Sequence, residues 1–208
     1  MLMQRVLLAV LVWLSVAVQA APVFQEGKDY QLLPQPSLRP DPQRVQVREF
    51  FWYGCPHCYH LLPVLDAWAR KKPSYVDLVL TPAALNPEWQ IDAQAYYAAE
   101  IRGVASKLHD DMFNAIHRDQ NIQLINNVAA IDQFYTAHGA GANFSALMNS
   151  MVVLGKVNAA AQLARQYQLE GVPSLVIDGK YLVDYHAGEP LRMMQVVDYL
   201  VTMEHHGH

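Results

Sequence analysis

The sequence predicts an α/β protein in which one sheet domain is built from two separate stretches of chain, with an all-helical domain inserted between them. Three short apolar runs, at residues 45–53, 76–80 and 174–183, have the composition of buried strands. Residues 87–169 are instead rich in alanine and carry apolar side chains at helical spacing. The strand-like runs therefore flank a helical segment.

The N-terminus has the pattern of an export signal. Arg5 precedes an apolar stretch over residues 6–18, and small residues up to Ala20 form a cleavage site. This stretch is too short to span a bilayer, which argues against an uncleaved anchor. We therefore expect cleavage between Ala20 and Ala21 and export of the mature protein.

The first part of the sheet domain, residues 21–86, has the pattern of a βαβ unit. Residues 45–53 alternate and then become nearly all apolar, which is typical of a strand buried on both faces. A helix should follow over residues 55–72, with Pro56 in its first turn, where the absent N–H costs nothing. Residues 76–80 form the next strand, and a parallel crossover of this kind should be right-handed.

Residues 87–169 should form the inserted helical domain. Apolar residues recur at steps of three and four over 97–112 and over 128–135, and a third helical run covers 143–167. Stripes with this spacing are typical of helix faces that pack into a core, rather than of a ligand site.

The second part of the sheet domain, residues 170–208, should contain a hairpin and a final helix. Two apolar runs within residues 174–183 are separated by Asp178-Gly179, which is a strong signal for a two-residue hairpin turn. Pro190 then opens an amphipathic helix. The hairpin should complete the sheet that the first part begins.

The charge of the chain excludes one large class of partners. Its 208 residues carry a formal net charge of −4, and the lysines and arginines are scattered along the sequence. Nucleic-acid binding calls for a clustered basic surface. We expect no nucleic-acid partner.

Cys55 and Cys58 are the only two cysteines, and just two residues separate them. Exported proteins commonly use disulfides to stabilise their folds. A disulfide across so short a loop constrains little of the unfolded chain, and so contributes little stability. We therefore interpret Cys55–Cys58 as a redox-active disulfide.

The position of Cys55 favours a reactive thiolate. It lies where a strand meets a helix, and free backbone N–H groups and the helix dipole stabilise an anion there. His57 can add a hydrogen bond or a positive charge, although a histidine here is also compatible with an inert helix surface. A stabilised thiolate makes the reduced form favourable and the couple a strong oxidant. Cys58, one turn further along, should be the resolving thiol.

Glu49 and the Val172-Pro173 pair are two further candidates. Glu49 lies inside an apolar strand, so it either handles protons near the cysteines or faces water at a strand edge. Proline cannot join a central ladder, so Val172-Pro173 marks a constrained loop before the hairpin. Base rates alone favour a trans bond before Pro173.

Four motifs then follow one another along the mature chain. They are Gly27-Lys28-Asp29-Tyr30, Glu49-Phe50-Phe51 leading into Cys55-Pro56-His57-Cys58-Tyr59, Val172-Pro173, and Val176-Ile177-Asp178-Gly179-Lys180-Tyr181. A C-x-x-C alone is weak evidence, because zinc ribbons use it too. With the Pro-His dipeptide and the later Val-Pro, the chain resembles the DsbA family of periplasmic thiol:disulfide oxidoreductases.

The resemblance implies a thioredoxin-like fold with an inserted all-helical domain, and catalysis by Cys55 and Cys58 without a cofactor or a metal ion. It implies that the Val172–Pro173 bond is cis and lies beside these cysteines, where its backbone helps to bind an extended substrate. The implied partners are unfolded exported proteins and a quinone-linked membrane re-oxidase of the DsbB type. We expect the protein to be a monomer.

The resemblance also implies that Glu49 lies beneath the cysteines and assists proton transfer. Some members of the family pair this acid with a buried lysine on the following strand. Residues 76–80 offer no lysine here, so we expect the pKa of Glu49 to be unusually high.

Two other functions fit the same residues. The first is a disulfide isomerase or reductase on the same fold, although isomerases of this compartment usually carry a dimerisation domain, for which the mature chain has no spare length. The second is a copper(I)- or zinc-binding protein in which Cys55, Cys58 and His57 form an incomplete ligand set. We interpret the histidines near the C-terminus as a frayed tail rather than a metal site: His205, His206 and His208.

Overall fold

A computed structural model describes residues 24–37, 41 and 43–206. The predicted signal over residues 1–20 and its cleavage site lie outside these residues. Within them, no helix combines the length and apolar character needed to cross a membrane.

A mixed sheet of five strands forms the base of the described structure. The strands are β1 (Gln31–Leu32), β2 (Val45–Phe51), β3 (Val76–Pro82), β4 (Ser174–Ile177) and β5 (Tyr181–Val183). Their spatial order is β1-β5-β4-β2-β3; β2 and β3 are parallel, and the other neighbours are antiparallel. Because β4 pairs with β2, the two parts of the sheet domain join at the centre of the sheet, and β2 is buried as predicted.

Two helices cover one face of this sheet. Helix α1 (Pro56–Ala69) connects β2 to β3, which confirms the βαβ unit. The last helix, α7 (Pro190–His206), packs beside α1. Apolar side chains of both helices share a core with the sheet: Leu61, Leu65, Trp68, Val196, Val197 and Leu200.

The predicted hairpin is confirmed in detail. Asp178 and Gly179 both adopt positive φ angles, 54° and 64°. This is the backbone of the two-residue turn whose twist matches that of paired strands, and glycine adopts it without strain. Lys180 N donates to Ile177 O over 3.0 Å and closes the turn.

Five α-helices make up the inserted segment. They are α2 (Pro87–Ile101), α3 (Ala105–His117), α4 (Val128–Ala137), α5 (Phe144–Met148) and α6 (Met151–Gln166). The limits proposed for the inserted domain, residues 87–169, stay a prediction.

Two of the predicted helical runs are each broken into two helices. The apolar spacing over 97–112 continues across a turn at Gly103, where φ is 71°. This turn separates α2 from α3 and leaves Ile101 43% exposed. The run over 143–167 divides into α5 and α6, and the Ser150 side chain accepts a hydrogen bond from Val153 N at the start of α6. Periodicity alone therefore overestimated the helix lengths.

The prediction of a frayed C-terminal tail is wrong for two of the three histidines. His205 and His206 are the last residues of α7. The ring of His205 stacks on Tyr75, with centroids 3.6 Å apart and an interplanar angle of 6°. His208 lies outside the described residues.

Candidate active site

Both cysteines lie where the sheet meets the inserted helices. Cys55 is the N-cap residue of α1, with an extended backbone (φ −85°, ψ 115°), and its side chain makes no capping hydrogen bond. Cys55 N donates to Trp52 O over 3.0 Å, which closes the turn between β2 and α1. The sulfur of Cys55 is thereby held at the positive end of the helix dipole.

The two thiols are free in this structure and differ in exposure. Cys55 is 7% exposed and Cys58 is 1% exposed. A hydrogen bond from the Cys58 thiol does most to lower the pKa of Cys55, from its ordinary 9.0 to about 6. Burial opposes this effect, whereas the backbone N–H groups of Cys58 and His57 add to it.

Cys58 behaves in the opposite way. Its burial raises its pKa well above 9.0, and the negative charges of Cys55 and Glu49 raise it further. The structure thus places a thiol of lowered pKa, Cys55, beside a more deeply buried thiol of raised pKa, Cys58.

Pro56 and His57 form the exposed rim of the site. Pro56 is the first residue of α1, and both side chains are exposed. The positive charge of His57 contributes to the low pKa of Cys55, although less than the hydrogen bonds do. His57 therefore lies on the exposed surface of the helix and still favours the Cys55 thiolate.

The Val172–Pro173 bond is cis, as the resemblance implied. Cys55 Sγ donates to Val172 O over 3.4 Å, so this loop lies directly beside the reactive sulfur. Ser174 Oγ donates to Gly171 O over 2.8 Å within the same loop. Two segments that are far apart in sequence therefore meet at Cys55.

Glu49 is buried beneath the site, and the alternative of a water-facing strand edge is wrong. It lies on the central strand β2, opposite Leu80 of β3 and Leu175 of β4, and is only 3% exposed. Among the described residues, none forms a hydrogen bond with Glu49 Oε2. Burial raises the pKa of Glu49 to about 8, and the charges of Asp66 and Cys55 add to this rise.

We expect the Glu49 carboxyl carbon to titrate near pH 8 in a ¹³C NMR experiment on the reduced protein. The neutral acid is favoured because the carboxylate is desolvated and meets no cation on β3. The Glu49→Gln variant identifies the resonance. A midpoint at or below the ordinary 4.5 would contradict this prediction.

The raised pKa of Glu49 makes the folded protein less stable as pH rises. The folded protein holds the Glu49 proton more tightly than the unfolded chain does, so stability falls as pH rises from 4.5 towards 8. Glu49→Gln should remove this loss and unfold at a higher denaturant concentration than the wild type at pH 8.

Side chains of the inserted helices hold the active-site turn, and the sequence alone did not predict them. Asp92 Oδ2 accepts a hydrogen bond from Trp52 Nε1 over 2.6 Å. The Tyr53 hydroxyl shares a 3.2 Å hydrogen bond with His109 Nδ1. His117 Nε2 donates to Tyr53 O over 2.8 Å. Asp92 is one of three carboxylates in α2, with Glu88 and Glu100, and its sequence position does not distinguish it from them.

Trp52 also explains the glycine that precedes Cys55. A Cβ atom on Gly54 would lie 2.3 Å from Trp52 Cζ2, closer than any side chain can approach. The Trp52 ring in turn stacks on Trp89, with centroids 4.8 Å apart and an interplanar angle of 11°. The turn therefore takes its shape from the indole packed against it.

Known proteins are similar to this chain in sequence and in architecture. A sequence model of the DSBA-like thioredoxin domain matches residues 46–195. The thiol:disulfide interchange protein DsbA of Azotobacter vinelandii is 37% identical over 180 residues, 86% of this chain and 83% of the relative. The protein of the same name from Burkholderia cepacia is 36% identical over 192 residues, 90% of this chain and 88% of the relative.

Solved structures agree with these matches. The crystal structure of Pseudomonas aeruginosa DsbA has a TM-score of 0.81 at 33% identity and covers 88% of this chain and 96% of that protein. The oxidoreductase DsbA from Xylella fastidiosa has a TM-score of 0.80 at 32% identity, covering 88% and 98%. The predicted thioredoxin-like fold with a helical insertion is therefore confirmed, and the chain belongs to the DsbA family of thiol:disulfide interchange proteins.

Proposed function

We propose that this protein is a dithiol oxidase that donates its Cys55–Cys58 disulfide to newly exported proteins. One observation carries the proposal: the pKa of Cys55 is lowered to about 6 beside a buried Cys58 whose pKa is raised. Stabilising the Cys55 thiolate stabilises the reduced protein, and this makes its disulfide a good electron acceptor.

The reaction consists of two thiol–disulfide exchanges. A substrate thiolate attacks Cys55 Sγ, forming a mixed disulfide and releasing Cys58 as a thiolate that takes up a proton. A second substrate thiolate then attacks the substrate sulfur of the mixed disulfide and releases the Cys55 thiolate. The substrate loses two electrons as its disulfide forms, and the protein gains them. The low pKa of Cys55 makes it a good leaving group in this second step.

Glu49 has the properties of a proton donor to Cys58. Its raised pKa of about 8 keeps it protonated at neutral pH, and it lies close enough to Cys58 for its ionised form to raise the pKa of that thiol. When Cys58 leaves as a buried thiolate, a neutral acid beneath the site can supply the proton that burial demands. In this proposal Glu49 is then reprotonated from solvent.

Val172 and Pro173 are the proposed docking edge for the substrate. Val172 O lies next to Cys55 Sγ. An extended substrate segment placed along this backbone would present its cysteine to Cys55 through strand-like hydrogen bonds. Such contacts require no particular substrate sequence, which suits an enzyme that acts on many unfolded exported proteins.

The cellular setting forms part of the same proposal. An export signal ending at Ala20 would deliver the protein to the periplasm, where disulfides persist. The reduced protein would be re-oxidised by a quinone-linked membrane partner of the DsbB type. The protein would act as a monomer.

The structure favours this function over the alternatives considered above. A stabilised thiolate on the attacking cysteine weakens the driving force of a reductase, because it favours the form with free thiols over the disulfide. The positions of the side chains disfavour a metal site made of Cys55, Cys58 and His57, because His57 is exposed whereas Cys58 is buried. Within residues 24–37, 41 and 43–206, no group of three His, Cys, Asp or Glu side chains is placed to hold a metal ion.

Two measurements with the wild-type protein test the proposed function. The oxidised protein should convert a peptide with two cysteines to its disulfide form, with one Cys55–Cys58 disulfide reduced per peptide. Alkylation of intact cells should show Cys55 and Cys58 largely oxidised. A protein that is reduced in cells and fails to oxidise the peptide would be a reductase or a binding protein.

A further inference from the structure

Asp92 is a buried carboxylate that joins two loops to helix α2. It is 1% exposed. Its Oδ2 accepts from Trp52 Nε1 over 2.6 Å, and its Oδ1 accepts from Asn126 N over 3.0 Å. Within the described part of the chain, none of the ion pairs includes Asp92. Two hydrogen bonds, rather than a cation, hold this charge in place.

Trp52, the first of the two donors, organises the turn that carries Cys55. Its carbonyl accepts the hydrogen bond from Cys55 N. Its ring lies against Gly54 so closely that no side chain would fit there. The ring also stacks on Trp89 of α2, and its indole N–H donates to Asp92. The orientation of Trp52 is therefore set from the inserted helices.

Ionisation of Asp92 lowers the stability of the fold. Burial raises the pKa of Asp92 to about 6, although both hydrogen bonds oppose the rise. A raised folded pKa means that the ionised group destabilises the folded state above that pH. An asparagine would avoid the buried charge, but it could accept only one of the two hydrogen bonds and would turn its amide N–H groups towards the other donor. What the acid does provide is two acceptor oxygens, one of which fixes the Trp52 ring.

We propose that Asp92 is a positioning residue for the thiol–disulfide exchange of Cys55 and acts through Trp52. By fixing the indole, it holds the Trp52 carbonyl under Cys55 N and keeps the sulfur at the N-terminus of α1. When this hold is lost, the turn relaxes and the Cys55 thiolate loses part of its stabilisation by nearby N–H groups. This inference rests on the proposed function.

The direction in which the pKa of Cys55 changes separates a positioning role of Asp92 from a purely electrostatic one. If Asp92 acted only as a negative charge, neutralising it would favour the Cys55 thiolate and lower the pKa of Cys55. If Asp92 positions the turn, neutralising it raises that pKa. Trp52→Phe tests the same hold without replacing the acid, because it keeps an aromatic ring and removes the N–H.

The test measures the pKa of Cys55 from thiolate absorbance, together with the rate of peptide oxidation. Asp92→Asn and Trp52→Phe should each raise that pKa from about 6 towards 7 and slow oxidation about threefold to tenfold. The double variant should match the single variants, because both changes break one hydrogen bond. Unfolding of Asp92→Asn at pH 8, measured in parallel, reports any loss of stability separately from the pKa of Cys55.

Asp132→Asn is the matched control. Asp132 Oδ1 also accepts a backbone hydrogen bond within the inserted helices, from Ser145 N over 2.6 Å, but it does not contact the active-site turn. This control should leave the pKa of Cys55 unchanged even where it lowers stability.

An unchanged or lowered pKa of Cys55 in Asp92→Asn would overturn the inference, as would an equal rise in Asp132→Asn. These results do not depend on the proposed function, because the pKa is read without a substrate. A wild-type protein that fails to oxidise the peptide would instead contradict the proposed function.

Discussion

Replacing Cys55 with alanine should abolish dithiol oxidation, whereas replacing Cys58 with alanine should trap the protein on its substrates. In the proposed function a substrate attacks the sulfur of Cys55, which is 7% exposed, whereas Cys58 is 1% exposed. Without Cys55 no mixed disulfide can form, so the rate should fall by about 10³-fold or more, to the uncatalysed background.

The Cys58→Ala variant should show a different defect. Its Cys55 thiolate can still exchange with oxidised substrates, but no internal thiol is present to release them. Mixed disulfides should therefore accumulate and appear on non-reducing gels as bands that a reductant removes. Oxidation that survives Cys55→Ala, or complexes that form only without Cys55, would reverse the assigned roles.

The reduced protein should become more stable relative to Cys55→Ser as pH rises from 5 to 8. The pKa of Cys55 is about 6 in the folded state, against an ordinary 9.0. A group with a depressed folded pKa stabilises the fold above that pH, and this gain is lost as pH falls through 6. The expected gain is about 1 kcal/mol at pH 7 and about 3 kcal/mol at pH 8.

Urea unfolding of both proteins under reducing conditions measures this difference. Glu49 is present in both proteins, so its opposite pH dependence largely cancels in the comparison. Oxidised wild type has no Cys55 thiolate and serves as a second control. Parallel pH profiles for reduced wild type and Cys55→Ser would show that the thiolate is not stabilised by the fold.

Local patterns were sufficient for much of the fold and for the reactive pair. The apolar run over 45–53, the Asp178-Gly179 pair and Pro56 after Cys55 each specify a structure through nearby residues alone. A short motif can therefore place both thiols at a helix N-terminus before any long-range contact is known. The resemblance added the cis bond before Pro173, which base rates alone did not favour.

Features that depend on contacts between distant segments were not predictable in this way. Glu49 is buried because β4 returns to pair with β2, and no local pattern reveals that pairing. The apolar spacing predicted one helix across Gly103, where the structure has a turn. Apolar periodicity does not reveal a single turn between two helices. Asp92 acquires its partner only when α2 approaches the active-site turn.

Equilibration with glutathione tests the central claim most directly, because it measures the balance between the Cys55–Cys58 disulfide and the two thiols. The glutathione pool has a potential of about −240 mV. A stabilised Cys55 thiolate predicts that the potential of the Cys55–Cys58 couple is higher, that is, more oxidising. The protein should then become reduced while most of the glutathione is still oxidised. A potential near that of thioredoxin, about −270 mV, would contradict the assignment of this site as an oxidant.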